Sequence, residues 1–384
     1  MERLFEIDLK DYKETDEVFR RPSARAIILQ ENKIALVYSK KEKYYKFPGG
    51  GIHDDENKIE ALIREVREEV GMTVIPESIR EFGSVLRRQK SDESENNVFE
   101  QENYYYFCTV ENQLTSQELD DYEKEAEFVL RVVDIGTAIQ ANRDYQSDNF
   151  FDEIMIKREL RVLQMIQQKM KFRNVYFVIG NAYAGKSTLV KNLAERYQGI
   201  ALEENYHDQK LPELDRKEFP NLTYTRDLQD WHEFIRRTPE EYVRWINDVA
   251  KECEIIELQI IEKLLNEKEA RDKKIFVDTN ISIETLQKIS DKSHVIVMLA
   301  DPQISVRRFF DRPDSEKQFL YQLMLEEPDP QVALDNYREI LTRINSNENY
   351  ERFENSGFQV IYRDEERSQE ETMEVAEKIL GLTK

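Results

Sequence analysis

The character of the strand-like segments changes near residues 171–174, and that change constrains the fold of the 384-residue chain more than any other feature. Before it, "ARAIILQ" (Ala24–Gln30) and "KIALVY" (Lys33–Tyr38) read as two strands joined by a Glu-Asn turn, a hairpin leading into "KFPGGG". "EFGSVLRR" and "NYYYFCTV", separated by the acidic loop "QKSDESENN", read as further strands, followed by "FVLRVVDI". After it, "VYFVIG", "GIALEE", "KIFVD", "HVIVMLA" and "FQVIY" are apolar without alternation and are separated by helical patterns. Strands buried on both faces in a parallel sheet have this signature. The expectation is an α/β protein of two domains, 1–150 and 173–384, with a bridging helix at 151–172 that carries Ile154, Ile156, Leu160, Leu163 and Ile166 at helical period.

A formal net charge of −22 opposes contact with a phosphate backbone, so a dedicated nucleic-acid binder is not expected, whereas small anionic substrates remain compatible. Met1 to Asp11 is charged throughout, and no run of 18 apolar residues occurs. A cytoplasmic protein without membrane contact is expected; an oligomer is compatible with the sequence. The two cysteines, Cys108 and Cys253, lie far apart without metal-ligand spacing and read as free thiols.

Of 11 glycines, six fall in two short segments: Gly49, Gly50, Gly51 and Gly71, and Gly180 and Gly185. In the first, Asp54 and Asp55 offer N-caps, Gly71 offers a stop, and Ile59, Leu62, Val66 and Val70 form one apolar helical stripe. Glu65, Glu68 and Glu69, at i, i+3 and i+4, share a face away from the stripe. That face is either solvated or a set of oxygen ligands for a hard cation; like-charge repulsion of about 0.2–0.5 kcal/mol per pair excludes neither.

The full spacing, Gly50, five residues, Glu56, seven residues, then "REVREEVGM" from Arg64 to Met72, resembles the Nudix box of the Nudix hydrolases at every signature position. The resemblance covers roughly residues 20–165, including "KFPGGG", the preceding hairpin and the "RELRVL" helix. It implies an α/β/α sandwich with a mixed sheet and hydrolysis of a nucleoside diphosphate derivative. It also implies that Glu65, Glu68 and Glu69, with the Gly50 carbonyl, bind Mg2+ or Mn2+, that Arg64 orients the carboxylates and that Glu56 supports the loop. Many members draw a further glutamate from a later loop, for which Glu125 and Glu127 are candidates. Tyr104, Tyr105, Tyr106 and Phe107 either pack a core or stack a base, the core reading being favoured. His53 matches no required position and is expected to be exposed.

In the second glycine segment, "VYFVIGNAYAGKSTLV" places Gly180, four residues, then Gly185-Lys186-Ser187 between an apolar strand and a helical pattern. This is the P-loop arrangement. Backbone N–H groups would curl around a β-phosphate, Lys186 would reach the β/γ-phosphates, and Ser187 would ligate Mg2+. Gly180, Ala184, Gly185, Lys186, Ser187 and Thr188 are therefore the expected ATP-binding set. Asp278, ending "KIFVD", stands where such proteins hold a carboxylate near the metal. "DPQISVRRFFDRPD" resembles the lid of small-molecule and nucleotide kinases, with Arg307, Arg308 and Arg312 as phosphate-facing candidates; a solvated basic face is the alternative. "GIALEENYHD" is similar to the second strand of nucleoside-kinase-like enzymes, which makes Glu204, ahead of Glu203 and Asp208, the candidate base for an acceptor hydroxyl. Trp231 and Trp245 read as core.

The combined reading is a bifunctional enzyme for small-molecule nucleotides, a metal-dependent Nudix hydrolase joined to a P-loop kinase, with Mg2+ (or Mn2+) and ATP as cofactors. The alternative makes the first domain a nucleotide-ligand sensor coupled to a P-loop NTPase switch.

Overall fold

The structure is a computed structural model that describes residues 1–14, 16–91, 97–147, 149–270, 272–311, 315–364 and 366–382. The chain divides into two compact units, Met1–Gln167 and Gln168–Lys384.

The first unit contains β1 (Arg3–Asp8), β2 (Glu17–Arg20), β3 (Ser23–Gln30), β4 (Lys33–Ser39), β5 (Tyr45–Lys46) and β6 (Gly49–Gly51), then α1 (Lys58–Val70) and β7 (Met72–Val74). After these come β8 (Arg80–Lys90), β9 (Asn97–Phe107), β10 (Val110–Leu114), α2 (Asp121–Glu125), β11 (Phe128–Asp134), α3 (Ile135–Asp144) and α4 (Phe150–Lys171). One nine-stranded sheet has the order β1-β8-β9-β3-β4-β11, with β2 beside β9, β5 beside β4 and β6 beside β3. It is mixed: β3 runs parallel to β9 but antiparallel to β4, and β1 is parallel to β8. The hairpin at the Glu-Asn turn is present. The charges in β1 and β2 mask the apolar alternation that marks a strand in sequence.

Helix α1 begins at Asn57, which corrects the expected caps Asp54 and Asp55. Asn57 Oδ1 accepts from the Ile59 and Glu60 amides at 2.9 and 3.1 Å, while Glu60 Oε2 accepts from the Asn57 amide at 2.8 Å. Only Asn57 has a glutamate three residues on with which to close this reciprocal box. Gly71 ends the helix with φ 67°, a left-handed conformation that favours glycine. Leu62, Val66 and Val70 are buried against Ala24, Ala26 and Ile28 of β3, each aliphatic side chain contributing about 1.5–3 kcal/mol. Tyr105 and Tyr106 are buried, as the core reading of that strand requires.

The second unit begins with β12 (Val175–Gly180), α5 (Lys186–Arg196), β13 (Ile200–Leu202), α6 (Tyr224–Asp227), α7 (Trp231–Ile235) and α8 (Pro239–Asn266). It continues with β14 (Ile275–Asp278), α9 (Ile283–Ile289), β15 (Val295–Leu299), α10 (Pro302–Arg308), α11 (Ser315–Glu326), α12 (Pro330–Ile344), α13 (Asn347–Glu354), β16 (Gln359–Tyr362) and α14 (Gln369–Ile379). The five strands form an all-parallel sheet in the order β13-β14-β12-β15-β16. Alternate residues of β12 enter two separate cores. Tyr176 and Val178 pack with Leu189 and Val190 of α5 and Met373 of α14. Val175, Phe177 and Ile179 pack with Ile261 of α8 and Leu286 of α9. Both faces are covered, which is why these strands lack polar alternation. Phe234, Tyr242, Met324 and Tyr337 build a further helical core, against which Trp231 and Trp245 pack partly buried. Among the described residues, no helix is long and apolar enough to cross a membrane. Both cysteines are buried free thiols.

Candidate active sites

In the first unit, the loop 51–57 and helix α1 converge on Arg64. Its guanidinium donates to Glu56 Oε1 and Oε2, to Glu65 Oε1 at 2.8 Å, to Glu68 Oε2 at 3.0 Å and to the Gly51 carbonyl at 3.0 Å. A planar five-donor fork can serve three carboxylates and a carbonyl at once; an ammonium cannot. The hydrogen bonds from Arg64 hold the Glu56 carboxyl well below the usual range, at about 2. Glu65 shifts the opposite way, raised first by burial and then by the charge of Glu69. Its carboxylate lies against Gly50 so closely that a Cβ there would stand 2.3 Å from Oε2.

Glu69 does not share a face with Glu65 and Glu68, contrary to the expectation from its spacing. It is buried, with Oε1 accepting from Lys46 Nζ at 2.6 Å and Oε2 from the Gly49 amide at 2.8 Å. Lys46 and β6 reach back over the helix and draw it inward. Glu125 is exposed and paired with Lys41 at 3.2 Å, and Glu127 is exposed, whereas buried Glu123 lies 3.9 Å from Lys46 Nζ. Burial, and then its contact with Glu69, pushes Glu123 up to about 7. No spacing rule singled out Glu123 within "DYEKE". His53 is exposed. A cavity of about 700 Å3, lined by Ile52, Glu56, Lys58, Tyr104 and Tyr106 among others, opens beside this loop.

The donors present fit a hard divalent cation, although among the described residues no three acidic, histidine or cysteine side chains are already gathered as a cluster. Glu65 and Glu68 each have one oxygen outside the Arg64 contacts, so each has an oxygen left to offer a cation.

In the second unit, β12 ends at Gly180, with φ 133°, where a Cβ would meet the Met298 carbonyl at 1.9 Å. Asn181 fixes the following turn to the end of β15, exchanging hydrogen bonds with the Ala300 carbonyl and amide at 2.6 and 2.8 Å. Gly185, with φ 93°, then starts α5. Lys186 Nζ donates to the Asn181 carbonyl at 3.2 Å and lies 3.9 Å from Asp278 Oδ1; Ser187 Oγ donates to Asp278 Oδ2 at 2.7 Å. Burial raises the Asp278 carboxyl, with Lys186 and Ser187 opposing. Lys186, Ser187 and Asp278, which the sequence singled out from two distant segments, are therefore together.

Two cavities flank this turn. One, about 450 Å3, is lined by Gly180–Tyr183, Glu204, Tyr242, Tyr337 and Asn345 among others. The other, about 580 Å3, is lined by Ala184, Gly185, Thr188, Arg363 and Arg367 among others. Glu203, Glu204 and Asp208 are all exposed. Arg307 is exposed on α10, while the Arg308 side chain and Arg312 lie outside the described residues. Arg363, whose guanidinium donates to the Tyr183 carbonyl, was missed by sequence reasoning; the run "YRDEER" after β16 is its only signal.

The chain is 40% identical over 53 residues to an 8-oxo-dGTP diphosphatase of Buchnera aphidicola subsp. Schizaphis graminum (strain Sg), a stretch of 13% of this chain and 41% of that protein. The chain thus spans about two fifths of that relative's length. Among solved structures, it is similar to a MutT protein from Bacillus halodurans, with 17% identity and a TM-score of 0.27, covering 36% of this chain and 80% of that one. A NUDIX hydrolase from Nitrosomonas europaea matches with 17% identity and a TM-score of 0.26, covering 36% of this chain and 89% of that one. Residues 19–151, which contain the Arg64 fork and all of its partners, match the family model of the NUDIX domain.

Proposed function

We propose that the first unit is a metal-dependent hydrolase of nucleoside diphosphate derivatives and that the second binds ATP and phosphorylates a nucleoside, nucleotide or other small molecule. The observation that carries the first half is the Arg64 fork, whose one guanidinium nitrogen holds both Glu65, which lies against the Gly50 backbone, and Glu68. Mg2+ or Mn2+, held by Glu65 and Glu68, would supply charge neutralisation of the pyrophosphate and a lowered pKa for the attacking water. Glu56 and Arg64 hold those carboxylates in place, and Glu69, anchored by Lys46 and Gly49, fixes the glycine loop against the helix. Glu123, neutral and ionised forms being close in energy near pH 7, is suited to accept a proton from water more than exposed Glu125 or Glu127. The relative named as an 8-oxo-dGTP diphosphatase makes oxidised and ordinary nucleoside triphosphates the first substrates to try.

The second half is supported by Lys186, Ser187 and Asp278 meeting at the glycine turn. Lys186 would neutralise phosphate oxygens, Ser187 and Asp278 would hold Mg2+ or its water, and Glu204 lines the cavity where an acceptor hydroxyl would lie. The test is turnover by the full chain over a panel of nucleoside triphosphates, 8-oxo-dGTP and nucleoside diphosphate sugars, with Mg2+ and with EDTA. ATP consumption is followed in parallel against nucleosides and nucleotides. No Mg2+-dependent hydrolysis of any compound defeats the first half; ATP use without a phosphorylated product defeats the kinase reading and favours the NTPase switch.

Gly50 offers a sharper check. In a Gly50→Ala variant the three atoms nearest the new methyl group all belong to the Glu65 carboxylate, so the side chain is displaced before the backbone is. Mg2+ affinity should fall about 10–100-fold, as for lost support of a metal ligand, with the melting temperature unchanged. At neighbouring Gly49 the same methyl would stand 2.1 Å from the Ala24 carbonyl at φ 137°, so Gly49→Ala should lower the melting temperature instead.

A further inference from the structure

Helix α8 carries a carboxylate, Glu257, that is fully buried and central to a network spanning three segments. Its Oε2 accepts from Thr279 Oγ1 at 2.5 Å, from the Asn280 amide at 3.0 Å and from Tyr206 Oη at 3.3 Å. Its Oε1 accepts from Asn280 Nδ2 at 3.1 Å and lies 2.9 Å from His207 Nδ1. His207 is itself buried, with Nε2 3.4 Å from Cys253 Sγ on α8. Among the described residues, no lysine or arginine pairs with Glu257. A carboxylate taken out of water costs several kcal/mol, which here the hydrogen bonds and the His207 imidazole offset. An apolar side chain would fill the same space more cheaply, so the network's value lies in what it holds.

It holds the exits of two adjacent strands. Thr279 and Asn280 immediately follow Asp278 at the end of β14, and Tyr206 and His207 follow Glu203 and Glu204 beyond the end of β13. The Thr279 amide also donates to the Val178 carbonyl of β12, at 3.2 Å, so the tie reaches the strand that leads into the glycine turn. Every donor points at the carboxylate. A glutamine of the same size would turn an N–H group towards the groups that meet one of the two oxygens and loosen that side of the network.

We propose that Glu257 is a positioning residue for the Ser187–Asp278 pair, fixing the β14 exit so that Asp278 meets a nucleotide-bound cation. This rests on the nucleotide-binding reading of the second unit. Glu257 touches neither nucleotide nor metal; it acts through Thr279 and Asn280.

The test measures binding of a fluorescent ATP analogue to the full chain, with saturating Mg2+ and with EDTA. Glu257→Gln should lose about 10–100-fold of the affinity measured with Mg2+, the usual cost of removing support from a metal ligand, while metal-free affinity stays at the wild-type value. Thr279→Val, which removes one hydroxyl at constant shape, should show a smaller loss of the same kind and decides the matter if Glu257→Gln does not fold. Wild-type Mg2+-dependent affinity in both variants overturns the proposal. So does an equal loss with and without Mg2+, which marks a general structural role. Wild-type protein that binds no nucleotide, or Lys186→Ala that binds as well as wild type, overturns instead the nucleotide reading on which the proposal stands.

Discussion

Replacing Glu65 with glutamine should lower Mg2+-dependent pyrophosphate hydrolysis about 10²–10³-fold, because in the proposed site a ligand and a full negative charge would leave the cation together. Charge stabilisation by a bound metal is worth several kcal/mol, and each 1.36 kcal/mol is tenfold in rate. The change is nearly isosteric, so the fold is spared. Glu65 is partly buried, its nearest cationic partner is Arg64, and its carboxyl is raised by burial and by Glu69. Removing that charge relieves repulsion, and the variant should melt at or slightly above the wild-type temperature. The loss should appear in kcat, with KM for the nucleotide little changed, since Glu65 acts where charge develops. Raising Mg2+ should recover part of the activity if affinity for the cation is what fell. Hydrolysis within threefold of wild type at every Mg2+ concentration would remove Glu65 from the metal site.

The legible part of each site is the part whose chemistry demands a fixed spacing within one continuous segment. Glu56, Arg64, Glu65 and Glu68 lie within one loop and one helix, and the structure brings the three carboxylates together around the Arg64 guanidinium, with Gly50 against Glu65. Gly180, Gly185, Lys186 and Ser187 follow the same logic, and Asp278 was found because it closes an apolar strand. What escaped depends on contacts between distant segments. Glu69 looked like its neighbours until Lys46, 23 residues earlier, drew it into the interior. Glu123 could not be told from Glu125 or Glu127 without knowing which side of a five-residue helix faces Lys46.

Glu257 is the extreme case. On α8 it is one acidic residue in a helix that also carries Glu252, Glu254 and Glu262, and helical period alone does not say which of them is fully buried. The error at the start of α1 has a more local origin. Asp54, Asp55 and Asn57 are all good caps by residue type, and the choice is made by Glu60. The outer strands β1 and β2 were missed because the exposed side of an edge strand carries charge, and with it the apolar alternation fades.

A Lys186→Ala variant should lose ATP binding about 30-fold or more, the second large effect expected. Truncating one partner of a buried, hydrogen-bonded charge pair costs about 2–5 kcal/mol, and 1.4 kcal/mol is tenfold in affinity. Lys186 is mostly buried between the Asn181 carbonyl and Asp278, so its ammonium is held in place before any phosphate arrives. Its removal also strips Asp278 of its nearest cation and raises further a carboxyl that burial already raises. The fraction of Asp278 that is protonated then grows as pH falls. Residual nucleotide binding by the variant should therefore weaken at a higher pH than in wild type, where Lys186 helps keep Asp278 ionised. Lys191, one turn further along α5 and exposed, provides the control of equal charge: Lys191→Ala should bind ATP as wild type does. Equal affinity in wild type and Lys186→Ala, measured by titration calorimetry at two pH values, would mean that the glycine turn holds no phosphate.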